Sequence, residues 1–396
     1  MNIRSIRDIE VDKKRILVRV DFNVPLGEGS GVITDDSRIR ATLPTIQYLI
    51  SQGAKVILCS HLGRPDGKVV EGLRLAIVAH RLSEMLKQPV VATRDCVGPD
   101  VEKAIGKMRN GAVLLLENIR FHPEEEENDA TFAQALARLA DIYINDAFGT
   151  THRAHASIVG VTKYLPAVAG MLTEKELKAL GSILEKPAHP FGVLLGGAKI
   201  SDKVGMLENI MGKVDYLLIG GGMAATFLKA YSHEVGLSLI EVDMLDTAVR
   251  LMEKAVRNGV RLLLPIDVVV TDKPSPEAKV IKTVSIQSIS PHLRIADIGS
   301  QTTRNFQEEL RQCKSVFWNG PMGIYEMPQF AGGTQAMARF LADLDATTII
   351  GGGSTAEVIN KLGLTDKMTF VSTGGGASLT FLSGKKLPGV EVLLKR

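Results

Sequence analysis

Short apolar, β-branched runs recur along the chain at 15–22, 54–61, 112–120, 141–148, 191–197, 215–222, 261–270, 315–323, 347–354 and 368–376. Between them lie stretches with apolar residues at helical spacing, such as 129–140 and 242–258. Strands that are apolar along their whole length and alternate with helices belong to parallel sheets covered on both faces. The pattern therefore predicts an α/β protein with doubly wound, Rossmann-like parallel sheets. The segment 173–187 opens with Thr173 as N-cap and Glu176 as its capping-box partner and closes at Pro187. With about five strands on either side, it reads as an interdomain helix.

Composition narrows the class. A chain of 396 residues exceeds one ordinary core and implies two to three domains at about 150 residues each. The content of 45% apolar and 23% charged residues is that of a soluble α/β protein, not a disordered or fibrous one. The longest uncharged stretch, 368–384, is rich in Gly, Ser and Thr, whereas a bilayer span needs about 20 mostly apolar residues. Charges at Arg4, Arg7 and Asp8 break up the apolar run that a secretory signal requires, so a cytoplasmic location is expected. Cys59, Cys96 and Cys313 form neither a disulfide framework nor a zinc motif and read as reduced, inert thiols. A net charge of +3 gives no ground for a nucleic-acid partner, so the placement of charge matters more than its sum.

The two halves differ in chemistry: arginines concentrate before residue 186 and glycines after it. Gly220-Gly221-Gly222, Gly351-Gly352-Gly353 and Gly374-Gly375-Gly376 each follow a predicted strand and precede a helix-compatible segment. Such loops bring backbone N–H groups and a helix N-terminus to an anion, so three of them point to a polyphosphate ligand at the carboxyl ends of the strands. Two also fit the relaxed dinucleotide fingerprint, at 220–225 and 351–356, and Glu241 lies where a ribose-binding acid would stand. A nicotinamide-dependent dehydrogenase is thus the rival reading. No Walker A sequence is present. Lys199 and Lys203, four apart after Gly196-Gly197, share one face of a helical turn and suit neighbouring phosphates.

In the first half, Asp21 and Asn23 share a strand face, and Ser60-His61-Leu62-Gly63-Arg64-Pro65 ends the next apolar run. Asn118-Ile119-Arg120 and Thr151-His152-Arg153 end or follow two more, with Arg38 on a loop. In a parallel sheet these ends converge on one rim, so Arg64, Arg120 and Arg153 form a receptor for a small polyanion. His152 and His155 lack further ligands for zinc. The acidic run 124–127 reads as a solvated loop entering a helix.

These motifs, in this order and over essentially the full length, resemble the phosphoglycerate kinase family: Arg-Val-Asp-Phe-Asn-Val-Pro, Ser-His-Leu-Gly-Arg-Pro, Glu-Asn-Ile-Arg-Phe, Leu-Gly-Gly-Ala-Lys-Ile-Ser-Asp-Lys, Trp-Asn-Gly-Pro-Met-Gly and Ser-Thr-Gly-Gly-Gly-Ala-Ser. The resemblance implies reversible phosphoryl transfer between 1,3-bisphosphoglycerate and MgADP, giving 3-phosphoglycerate and ATP, by a glycolytic and usually monomeric enzyme. It implies a phosphoglycerate-binding domain at 1–172, the interdomain helix at 173–187, a nucleotide-binding domain at 188–378 and a tail, 379–396, returning to the first domain, with the active site in a cleft between domains. Carried over by motif, Asp21, Phe22, Asn23, Arg38, His61, Leu62, Gly63, Arg64, Arg120 and Arg153 bind phosphoglycerate. Lys203, Asn319, Glu326, Gly351, Gly352, Gly353 and Ser354 bind the nucleotide, while Arg38, Lys199, Gly374 and Gly375 meet the transferring phosphoryl group. Such chemistry needs positioning and charge neutralisation but no general base, because the acceptor oxygen is already ionised.

Three positions depart from the family pattern. Ser354 stands where the family carries the Asp expected to contact Mg²⁺, which leaves the metal ligand open; Thr380 replaces a helix-terminal Glu, and Ile295 is expected to narrow the adenine pocket. They motivate a third reading, a phospholigand-binding paralogue without turnover.

Overall fold

A computed structural model describes residues 3–27 and 31–395, and the chain divides into two units, Met1–Lys178 with Lys386–Arg396, and Ala179–Lys385. No helix among the described residues is long and apolar enough to cross a membrane.

In the first unit six strands, β1 (Arg15–Val20), β2 (Lys55–Cys59), β3 (Val90–Ala92), β4 (Val113–Leu115), β5 (Ile142–Asp146) and β6 (Ala167–Ala169), form one sheet in the order β3-β4-β2-β1-β5-β6. Every pairing is parallel. Alternation along β1 separates two cores: Ile16, Val18 and Val20 join one apolar cluster and Leu17 the other, as period-two side chains must. The helix Ser37–Ser51 covers the first face with Ile39, Ile46 and Leu49, each worth about 1.5–3 kcal/mol relative to exposure. The helix Ala130–Arg138, capped by the Asp129 carboxylate accepting from the Phe132 amide at 2.8 Å, covers the second with Phe132 and Leu136. The register pairs Arg19 with Cys59 and Val20 with Asp146, so the carboxyl ends of β1, β2 and β5 lie level.

The second unit holds β7 (Phe191–Leu195), β8 (Tyr216–Ile219), β9 (Arg261–Leu263), β10 (Asp267–Thr271), β11 (Ile281–Ser285), β12 (Arg294–Ile298), β13 (Ser315–Asn319), β14 (Thr347–Gly351) and β15 (Phe370–Val371). Its main sheet, β15-β14-β13-β7-β8-β9, is again parallel. Read from β9, that order is the 3-2-1-4-5-6 winding of dinucleotide folds, with the switch point between β7 and β13. The expected parallel α/β architecture thus appears twice, in two six-stranded sheets.

Three details differ from the sequence reading. The run 261–270 is two strands, because Pro265 interrupts it and the chain leaves the parallel sheet. Beyond that break the chain builds a separate antiparallel sheet, β11-β10-β12, which a pattern of buried parallel strands does not announce. The helix read at 173–187 is Met171–Glu185, and Thr173 is not its N-cap. The buried Asp146, at the end of β5, accepts from the amides of Leu172 at 2.9 Å and Thr173 at 3.3 Å. A helix start needs acceptors for its free N–H groups, and here they come from a distant carboxylate. A Cβ at Gly170 would lie 2.2 Å from that carboxylate oxygen, so the entry requires glycine.

Candidate active site

In the first unit the chain leaves β1 through Asp21, Phe22 and Asn23. Asp21 is bonded to Arg38, in the first turn of the helix Ser37–Ser51. Burial pushes the Asp21 carboxyl up, but the Arg38 guanidinium, then Arg19 and the Asn23 amide, pull it down further, and it stays ionised. Burial holds the His61 imidazole well below its ordinary value against the pull of Asp21, so it is neutral. Its Nδ1 lies 3.3 Å from Arg19 Nη2. A guanidinium cannot accept, so Nδ1 is the acceptor and the ring proton sits on Nε2, which makes His61 a donor.

The Asn23 side-chain oxygen accepts from the Gly63 amide at 2.8 Å, and Arg120 Nη1 donates to the Gly63 carbonyl at 2.9 Å. Arg64, Arg120 and Arg153 line one cavity of about 310 Å³ together with Asp66 and Glu126. Arg120 is buried. Its Nε is 3.0 Å from Glu126 Oε1 but makes no hydrogen bond, and it is left as an unmet buried donor. Burial, then the like charge of Arg153, holds the Arg120 guanidinium below its ordinary value; an anion in the cavity would relieve both.

Phe22 and Leu62 stand apart from this set. Both side chains lie in the core, the Phe22 amide donates to Ser60 Oγ at 2.9 Å, and the Leu62 amide and carbonyl are both held by the Asn118 carboxamide. They brace the rim and do not face it. The acidic run is also not simply solvated: Glu125 is fully buried and accepts from the Ser157 amide and hydroxyl at 2.8 and 2.6 Å, while Ser157 Oγ accepts from Arg19 Nε at 2.9 Å. This buried network of Arg19, Ser157 and Glu125 behind the rim escapes sequence reasoning. Its one signal is a charged residue, Arg19, buried between apolar neighbours in β1, where an unpaired charge would be costly. His155 is pressed down to about 4 by burial and then by Arg19, Arg120 and Arg153, which marks the region as a positive field.

In the second unit the register sets Asn319 beside Leu195 and Gly351, so β7, β13 and β14 end together at the switch point. Lys203, largely buried, donates from Nζ to the Asn319 side-chain oxygen at 2.6 Å, and burial lowers its ammonium to about 8. Lys199 is exposed. Asn319 Nδ2 is buried without a partner, an orphaned donor that fits a phosphate oxygen.

The three glycine loops are not equivalent. The loop at Gly220–Gly222 packs on its neighbours: the Gly221 amide donates to the Met322 carbonyl at 3.0 Å, and a Cβ there would lie 2.5 Å from the Gly197 amide. It is spent on packing and is no ligand cradle. Gly351 and Gly352 lie against Asn319, whereas a Cβ on Gly353, Gly375 or Gly376 would meet nothing within 4 Å. These open glycines begin the helices Gly353–Lys361 and Gly376–Leu382, whose first amides lack intrahelical partners. The Gly374 amide already donates to Ser372 Oγ at 3.1 Å. Ser354 is half-buried in the first turn, Glu326 is exposed, and Thr380 bonds back to the Gly376 carbonyl at 3.0 Å. Ile295, in β12, is half-buried against Val268 and Val270.

The residues fit nucleotide phosphates better than they fit a directly bound metal. The nearest acid on the helix after Ser354, Glu357, is engaged by Tyr325 OH at 2.9 Å and by Lys361. Among the described residues, the donors close enough to share an ion are Asp95, Cys96 and His122, in the first unit. Glu241 is not free to hold a ribose, since its carboxylate is bonded to the Ile200 and Ser201 amides. A cavity of about 670 Å³ between the helices Ser300–Leu310 and Gly332–Ala342 is lined by both Arg339 and Asp343 and lies away from the strand ends that carry this chemistry.

Comparison with known proteins returns one answer. The family model described as phosphoglycerate kinase matches residues 6–385. The chain is similar to phosphoglycerate kinase of Synechococcus elongatus, 56% identical over 395 residues that cover 99% of this chain and 98% of the relative. It is 53% identical to that of Pelotomaculum thermopropionicum over 393 residues, 99% of each. Among solved structures it resembles phosphoglycerate kinase from Coxiella burnetii, with a TM-score of 0.85 at 41% identity, covering 99% of this chain and 98% of the other. The likeness to the Pyrococcus horikoshii enzyme has a TM-score of 0.87 at 32% identity, with the same coverage.

Proposed function

The chain belongs to the phosphoglycerate kinase family, and from that premise we propose how its residues divide the work. The enzyme is a glycolytic phosphotransferase acting on a carboxyl group. In the forward direction the bond between the acyl oxygen and phosphorus of 1,3-bisphosphoglycerate breaks and one forms to the terminal phosphate oxygen of ADP. The products are 3-phosphoglycerate and ATP, and no proton need be removed.

Arg64, Arg120 and Arg153 grip the non-reacting phosphate, while Asp21, Asn23 and the Nε2–H of His61 hold the hydroxyl and acid end. Lys203 and Asn319 hold nucleotide phosphates, the first-turn amides after Gly352 extend that grip, and Glu326 receives the ribose. Arg38 and Lys199, with the backbone at Gly375, neutralise charge on the group in transit, where a positioned donor counts most; the Gly374 amide, bonded to Ser372, braces that loop. Mg²⁺ bound through the nucleotide phosphates supplies further neutralisation; Ser354 offers it no carboxylate, and Mg²⁺ normally keeps several waters. Work as a monomer in the cytoplasm is part of the same proposal.

The observation that carries this reading is the convergence of three guanidinium groups on one cavity of about 310 Å³, with only two carboxylates to balance them. A coupled assay tests it: ATP should form from ADP and 1,3-bisphosphoglycerate with Mg²⁺ and cease with EDTA. Folded protein that binds phosphoglycerate without turnover would be a binding paralogue, and saturable NADH binding without ADP binding would revive the dehydrogenase.

A further inference from the structure

We propose that Glu241 is a positioning residue for the phosphate-gripping loop, its carboxylate fixing the backbone between Lys199 and Lys203. The inference rests on the assignment of Lys203 to nucleotide phosphate and of Lys199 to the phosphoryl group in transit. Glu241 follows the helix Met223–Ala230 at a distance in sequence and immediately precedes the turn Val242–Met244. Its Oε2 accepts from the amides of Ile200 and, at 3.3 Å, Ser201, while Oε1 accepts from the Ser201 hydroxyl. The Glu241 amide in turn donates to Thr226 Oγ1 at 3.1 Å, and Thr226 is buried. The loop is thereby pinned to a helix in the core.

Those amides are the ones a helical start leaves without acceptors. The Ile200 carbonyl accepts from Lys203 N at 2.8 Å and Val204 N at 2.9 Å, so the turn begins at Ile200 and continues into the helix Val204–Ile210. Asp202, within the turn, is exposed, and Glu241 does the capping from outside. With the turn closed, Lys203 points back to Asn319 and Lys199 is left at the solvent side of the strand end.

A carboxylate this near a phosphate grip opposes an incoming anion. That gives the proposal a sign. Were Glu241 present only as charge, its removal would tighten nucleotide binding; as the brace of the loop, its removal weakens both binding and turnover. The experiment compares Glu241→Ala, Glu241→Gln and Ser201→Ala by steady-state kinetics, with thermal melting to verify folding, and repeats Glu241→Ala in a Lys199→Ala background. Glu241→Ala should raise KM for MgADP and lower kcat about tenfold, leave the affinity for 3-phosphoglycerate within about twofold, and lose part of its effect on kcat once Lys199 is gone. Ser201→Ala, which keeps the carboxylate and loses one of its bonds, should move both constants the same way by a smaller factor. Tighter MgADP binding in Glu241→Ala, or losses that multiply independently in the double variant, overturns the proposal; Glu241→Gln, which keeps an acceptor for the amides and loses the charge, should fall between parent and Glu241→Ala. If Lys199→Ala and Lys203→Ala are themselves silent, the lysines act on neither nucleotide phosphate nor the group in transit, and the assignment beneath the proposal falls first.

Discussion

Lys203 holds its ammonium in a largely buried place where burial lowers it to about 8, so its charge is lost as pH rises through that value. Nucleotide KM should therefore climb above about pH 8, by up to tenfold per unit, and Lys203→Arg, which keeps its charge, should abolish that alkaline limb in a pH series. Arg38 makes a different prediction. Its visible bond is to Asp21, a member of the same site, and the group it serves is charged most in the transition state. Arg38→Ala should lower kcat by about 10²–10³ with KM changed far less, and equal effects on the two would remove it from the chemistry. Arg38, read as a loop residue, lies in the first turn of the helix Ser37–Ser51, but the gathering of Arg64, Arg120 and Arg153 on one cavity was legible in the sequence because cations at the ends of apolar runs have few other reasons to gather. Arg19 and Glu125 were not, because each justifies the other only across space.

The elements that position these residues are tied by single polar groups at their ends. Asp146 both ends β5 and receives the first amides of the helix Met171–Glu185. Burial raises its carboxyl to about 6 against the lowering effect of Thr45 and those amides. Because the folded value lies above the unfolded one, its contribution to stability is complete below about pH 4 and is lost as pH rises through about 6. Asp146→Asn should erase that slope, so urea midpoints of parent and variant should move relative to one another between about pH 4 and 6 and run parallel above. Runs of buried residues gave away the parallel strands, and their loops gave away the glycines. Spacing could not say which glycines face solvent: Gly221 and Gly353 look alike in sequence, yet one abuts the Gly197 amide and the other meets open space. Nor could it reveal β10–β12, whose partners run antiparallel and whose edge strand is mostly exposed.

At the scale of the molecule, the chain builds most of one unit, all of the other, and then returns. Lys386–Arg396 belongs with Met1–Lys178: the Gly389 amide donates to the Thr151 carbonyl at 2.9 Å, and the Leu393 carbonyl accepts from the Arg4 amide at 2.9 Å. Leu387, Val390 and Leu393 are buried, and at about 1.5–3 kcal/mol each they make the return a substantial part of that unit's stability. Truncation after Lys385 should lower the unit's melting temperature. It should also weaken 3-phosphoglycerate binding by about tenfold, since Thr151 stands two residues before Arg153, and leave ADP binding unchanged by calorimetry. The same routing dictates an order of assembly during translation. Unit two can fold as soon as its own residues leave the ribosome, whereas the unit begun first must wait for the segment Lys386–Arg396, synthesised after all of unit two.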